Sequence, residues 1–96
     1  MIYSNEPAAL PIASYCYNRL DISSEVTIDV KPLEVDGYCY DDLTVEINNK
    51  LTQEDFLVAI CHEMVHCSQY EQCKPADETE AYYLERKLYN GFLKTI

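Results

Sequence analysis

The pentapeptide H-E-M-V-H at residues 62–66 constrains this chain more than any other stretch, because it indicates a helix. Side chains four residues apart stack on one helical face about one turn apart, so a helix brings the two imidazoles together. That spacing allows both to bind one Zn²⁺, and the glutamate between them can activate a water molecule at the metal. His62 and His66 are the only histidines in the chain. The alternative is a solvated helix that carries two histidines by chance.

Hydrophobic periodicity predicts a helix around the motif, from about residue 53 to residue 70. Thr52 is a good N-cap, and Asp55 stands three residues on, in the position of a capping-box partner. The apolar stripe of the helix predicts its core face: Phe56, Leu57, Ile60, Met64 and Val65. His62 and His66 fall on another sector. One face of this helix is therefore expected to pack, and the other to line a cleft.

The remaining patterns predict an α+β domain that spans residues 1–96. An apolar repeat over residues 8–20 indicates an N-terminal helix, and a last helix begins after Asp77, with Glu80 in the capping-box position. Alternation predicts short strands at residues 25–31, 38–40 and 43–47, with an extended piece at 33–35. We expect these strands to form a small, mostly antiparallel sheet, and Gly91 to fray or end the last helix.

Charge and cysteine content narrow the classes of function. The net charge of −10 argues against binding to nucleic acid, because such binding needs clustered basic side chains. It suits a basic peptide or protein as the partner. The alternative is that the acidic side chains only make the protein soluble. No signal peptide or membrane span is visible, so we expect a cytoplasmic protein without a membrane partner. The five cysteines are interpreted mainly as small buried hydrophobes in a reducing compartment, with one disulfide as the alternative.

A catalytic zinc site usually has three protein ligands, and the third cannot be histidine here. A thiolate or carboxylate must supply it. The acidic cluster at residues 77–80 opens the helix that follows the motif helix, and a short connection makes the two helices antiparallel neighbours. Glu78 and Glu80 are both within this cluster, and the spacing leaves both open as ligands.

With these residues the chain resembles the gluzincin group of zinc metallopeptidases, and is similar to small ImmA/IrrE-like peptidases and to SprT-like proteins, which phages often encode. The resemblance covers roughly residues 37–90. It implies a minimal zincin-like domain in which Glu78 is the third ligand, with the small Ala81 three residues on, and Glu80 a cap. Where several of these families have an acidic residue to orient the first histidine, this chain has Tyr82. The partner of His62 is therefore open, with Asp55 and the tyrosine hydroxyls as candidates.

The resemblance implies a small peptidase in which Glu63 is the general base and His62, His66 and Glu78 hold Zn²⁺. A strand at the cleft edge would pair with an extended peptide or protein substrate. A tyrosine hydroxyl is expected to stabilise the oxyanion, and the candidates are Tyr38, Tyr40, Tyr82, Tyr83 and Tyr89. One alternative is a non-catalytic zinc-binding regulatory or interaction domain with an acidic surface. Another is an acidic decoy that mimics nucleic acid.

Overall fold

Three helices and one four-stranded sheet make up the protein, which is described over residues 1–96 by a computed structural model. A single turn of 3₁₀-helix, Pro7–Ala9, precedes the first α-helix. In chain order the elements are β1 (Ile2–Ser4), α1 (Leu10–Arg19), β2 (Val26–Lys31), β3 (Gly37–Cys39), β4 (Thr44–Asn48), α2 (Gln53–Glu71) and α3 (Glu78–Leu93). The α+β class predicted from the sequence is confirmed.

The sheet has the strand order β1-β2-β4-β3. Strands β1 and β2 run parallel, β2 and β4 run parallel, and only β3 and β4 pair antiparallel. The prediction of a mostly antiparallel sheet is therefore wrong. Helix α1 lies between β1 and β2 in the chain and returns it to the same end of the sheet, which makes those two strands parallel. No prediction covered β1, because a three-residue strand carries too little alternation to detect.

One face of the sheet is buried beneath the helices. Val26, Ile28, Val45 and Ile47 are fully buried, while Thr27 between the first two is exposed. This alternation is what a half-buried strand requires. Strand β3 forms one edge of the sheet, and it contacts α2 as well as β4.

Helix α2 occupies the centre of the molecule and contacts α1, α3, β3 and β4. Both predicted N-caps are confirmed, because the Thr52 side chain accepts from the Asp55 N–H and the Asp77 side chain accepts from the Glu80 N–H. Ile60, Met64 and Val65 are buried in the core as predicted. None of the three helices has the length and apolar character needed to cross a bilayer.

Two sequence predictions about small residues have different outcomes. The cysteines are all free and four of the five are buried, which confirms their interpretation as small core residues. Gly91, however, does not end α3, which continues to Leu93. The Tyr15 hydroxyl lies where a side chain at position 91 would begin, so the glycine provides space for α1 to approach α3.

Candidate metal centre

The two histidines of the motif and Glu78 converge at the contact between α2 and α3. The Nε2 atoms of His62 and His66 each lie 2.8 Å from the same Glu78 carboxylate oxygen. One ligand atom from each of the three residues falls within 4.8 Å of the others, so this group could hold a metal ion. Helix α2 places the imidazoles one turn apart, and the Asp77 cap starts α3 so that Glu78 lies in its first turn.

The tautomer of His62 is set by a carboxylate on α3. Its Nδ1 atom lies 2.8 Å from Glu85 Oε1, and an ionised carboxylate can only accept a hydrogen bond. The Nδ1 atom must therefore carry a proton, and in the neutral imidazole Nε2 then has a lone pair directed towards Glu78. The Tyr82 ring packs edge-on against the same imidazole, with the ring centroids 4.7 Å apart. This contact and the hydrogen bond restrict the orientation of His62.

The tautomer of His66 is set by Gln69, which is only 3% exposed. The Gln69 Oε1 atom accepts from the Asp77 N–H at 2.9 Å, and Nε2 donates to Glu80 Oε1 at 2.9 Å, so the amide has one orientation. The His66 Nδ1 atom lies 2.8 Å from Gln69 Oε1 and must donate to it. In the neutral imidazole, the Nε2 atom of His66 then also has a lone pair directed towards Glu78.

In their neutral forms, the two imidazoles and the carboxylate direct three acceptors at one point. Acceptors 2.8 Å apart repel each other unless a proton or a metal ion lies between them. Without a metal, protonated imidazoles would donate to Glu78: burial opposes ionisation of this carboxyl group, but hydrogen bonds and charge from His66 and His62 outweigh that effect and lower its pKa. The carboxylate is thus held in the ionised form that binds metals.

Glu63 lies beside this group without being part of it. The residue is 6% exposed, lines the cleft and makes no hydrogen bond through its carboxylate. Desolvation raises its pKa to about 7, although the charge that His62 and His66 carry when protonated acts in the opposite direction. Gly37 of β3 packs against it, since a Cβ atom at position 37 would lie 3.1 Å from the Glu63 Cγ. Strand β3 therefore approaches the buried carboxylate closely because residue 37 has no side chain.

The metal-binding group opens into a cleft of about 740 Å³ between β3, α2 and α3. Two of the five predicted oxyanion donors, Tyr38 and Tyr82, line this cleft. Tyr40, Tyr83 and Tyr89 do not: the Tyr40 hydroxyl donates to Glu46 and the Tyr83 hydroxyl accepts from Lys87. Tyr70, which the sequence prediction omitted, is a third tyrosine in the lining.

The structure separates the two glutamates that the spacing left open. Glu78 meets the histidines, whereas Glu80 accepts a hydrogen bond from Gln69 and does not bond back to the Asp77 N–H as a capping-box partner would. Neither Asp55 nor a tyrosine hydroxyl bonds His62, so the predicted partners for that imidazole are wrong, and Glu85 takes the role. Glu85 lies seven residues after Glu78, a spacing that places both on one helical face and could have identified it.

Comparison with known proteins gives no match: no family model, no curated protein and no solved structure aligns with this chain. The residues and their geometry are therefore the basis of the functional argument.

Proposed function

We propose that this chain is a small zinc-dependent metallopeptidase of the gluzincin type. The observation that carries the proposal is the convergence of two imidazole nitrogens and a carboxylate beside Glu63, a residue only 6% exposed whose carboxylate has no hydrogen-bond partner in the protein and faces the cleft. A metal-binding site that only stabilises a fold needs no such second group. A desolvated carboxylate with a pKa near 7 at a cleft is the property expected of a general base.

His62, His66 and Glu78 are the residues that would hold the metal. Two imidazole nitrogens and one carboxylate oxygen form a donor set typical of catalytic zinc, which leaves a further position open. When bound there, zinc acidifies water and polarises a carbonyl group. Glu85 and Gln69 support the site because they accept hydrogen bonds from the Nδ1–H groups of the two imidazoles, and this leaves each Nε2 atom free to bind a metal.

Glu63 would accept the proton of the attacking water and deliver it to the amine that leaves. Its place at the cleft suits both steps: desolvation raises the pKa of Glu63 in the metal-free protein, and a bound cation would shift it towards the ionised form that accepts a proton. Strand β3 lines the cleft and is an edge strand of the sheet, so its outer side is open to an extended peptide. Tyr38 or Tyr82 would supply the additional donor to the oxyanion.

The competing function, a non-catalytic zinc domain, would be favoured by a thiolate in the metal-binding group. No cysteine belongs to that group. The Cys61 thiol lies 3.6 Å from Cys16 and the Cys67 thiol lies 3.4 Å from Cys39, both in the core. The free thiols suit a reducing compartment such as the cytoplasm, which we include in the proposal.

Metal analysis of purified variants tests the site. We expect one bound zinc in the wild type, loss of that zinc in His62→Ala and Glu78→Ala, and retention in the matched control Glu80→Ala. Glu63→Gln should keep zinc and lose peptide cleavage, measured by mass spectrometry on a mixed peptide library. Full cleavage by Glu63→Gln, or zinc retained in Glu78→Ala but lost in Glu80→Ala, would overturn the assignment.

A further inference from the structure

The cleft has a defined direction, because β3 runs alongside α2 in the same sense. Gly37 lies against Glu63, and the Cys39 thiol lies 3.4 Å from the Cys67 thiol, four residues further along α2. Residues that precede Gly37 therefore lie towards the N-terminal end of α2. Val35 and Asp36 line the cleft on this side, as Val58 and Asp55 of α2 do.

Two carboxylates at this end of the cleft have no partner. Asp36 on the β3 side and Asp55 in the first turn of α2 are exposed, and neither side chain takes part in an ion pair or hydrogen bond. The nearby cation is Arg86 of α3: its hydrogen bond to Glu54 at 2.8 Å, and then the charges of nearby carboxylates that include Asp55, raise its pKa. No direct contact joins this side chain to Asp36 or Asp55. Asp36 and Asp55 are thus available to a ligand from two walls of the cleft.

The charge of the cleft as a whole is negative even with a metal bound. Its lining contains five acidic side chains and one basic one. A divalent cation offsets two of the negative charges, and the cleft still has an excess of negative charge. Glu63, a member of this lining, is only 6% exposed and has no hydrogen-bond partner in the protein, so the lining also holds a carboxylate that opens to the cleft.

We infer that the cleft selects peptides that carry a lysine or arginine side chain on the side of the metal nearest the start of α2. Asp55 precedes His62 by seven residues, or about 10 Å along a helix, which an extended peptide covers in about three residues. The basic side chain would lie between Asp36 and Asp55, about three residues from the bond that is cut. The inference rests on the proposed peptidase function and adds the class of substrate.

Binding to an inactive, zinc-loaded protein tests this preference separately from cleavage. The protein is the Glu63→Gln variant. The probes are fluorescent peptides whose other residues are uncharged, and each carries one lysine, or the uncharged norleucine in its place, at a position that is moved along the peptide. Fluorescence anisotropy at low salt should show tighter binding of the lysine peptide by about fivefold to thirtyfold at the best position, because two carboxylates at the surface each contribute about 0.5–1 kcal/mol. High salt should reduce the ratio.

Substitution identifies the carboxylates responsible. Asp36→Asn and Asp55→Asn should each lower the lysine-to-norleucine binding ratio about twofold to fivefold. Glu25→Gln removes an exposed carboxylate outside the cleft lining and should leave the ratio unchanged. A ratio near one at every lysine position, or an equal loss in all three variants, would overturn the inference. Cleavage of any of these peptides by the wild type then shows separately whether the proposed function survives.

Discussion

Replacing Glu63 by glutamine in the metal-free protein should change how stability depends on pH. The native carboxylate is 6% exposed and has a pKa raised by desolvation to about 7, whereas 4.5 is the ordinary value expected in the unfolded chain. Between these two values the native state holds a proton that the unfolded state has released. Stability therefore falls as the pH rises through this window. The amide of a glutamine at this position does not titrate, so the variant lacks this contribution.

The size of the effect follows from the two pKa values. About 1.4 kcal/mol for each pH unit between 4.5 and about 7 gives about 3 kcal/mol. This stabilisation is fully present below pH 4.5 and is lost once the pH exceeds 7. Relative to the wild type, Glu63→Gln should therefore gain about 3 kcal/mol between these limits. Excess zinc should remove most of the pH dependence, because a nearby divalent cation favours the ionised carboxylate.

Urea unfolding with a chelator, repeated across pH 4–8.5, measures the difference in free energy of unfolding between the two proteins. Titrations that Glu63 does not influence are common to both proteins and cancel in this difference. The matched control is Glu25→Gln, which makes the same chemical change at an exposed site and should show no comparable gain. A difference between Glu63→Gln and the wild type that stays constant from pH 4.5 to pH 7.5 would refute the desolvation argument.

Three further predictions concern the residues that support the site. Gln69→Ala removes the acceptor of the buried His66 Nδ1–H and of the part-buried Asp77 N–H, and should cost about 1–3 kcal/mol in urea unfolding and weaken zinc binding. Glu85→Gln removes the charge that polarises His62, so the affinity for zinc, measured by competition with a chelator, should fall about tenfold to a hundredfold. An unchanged affinity for zinc would contradict the role of Glu85. Gly37→Ala places a methyl group 3.1 Å from the Glu63 Cγ, and should cost about 1–3 kcal/mol of stability, with a larger loss of peptide cleavage than of zinc.

Features that depend on neighbouring residues could be predicted from the sequence. The Thr52 and Asp77 caps are short-range signals, and both hold in the structure. The pairing of His62 with His66 depends only on helical geometry. Once Asp77 starts α3, the position of Glu78 near the end of α2 follows from the short connection between the helices.

The features that could not be predicted depend on contacts between distant parts of the chain. The parallel pairing of β2 with β4 places β3 at an edge, and no local pattern in residues 26–48 encodes that order. Gln69 has an ordinary position on α2, and its role arises only when Asp77 and Glu80 meet it from α3. The function of Gly37 likewise depends on the approach of β3 to α2.

All three candidate ligands lie in one helical hairpin, and Glu78 follows His62 by 16 positions. Such a short segment can chelate a metal ion before the protein folds, because closing a small loop costs little entropy. The gain in the free energy of unfolding is then limited by the ratio of the affinities of the folded and unfolded chains for zinc. As the concentration of zinc rises, the melting temperature should increase and then level off, once both the folded and the unfolded chains are saturated.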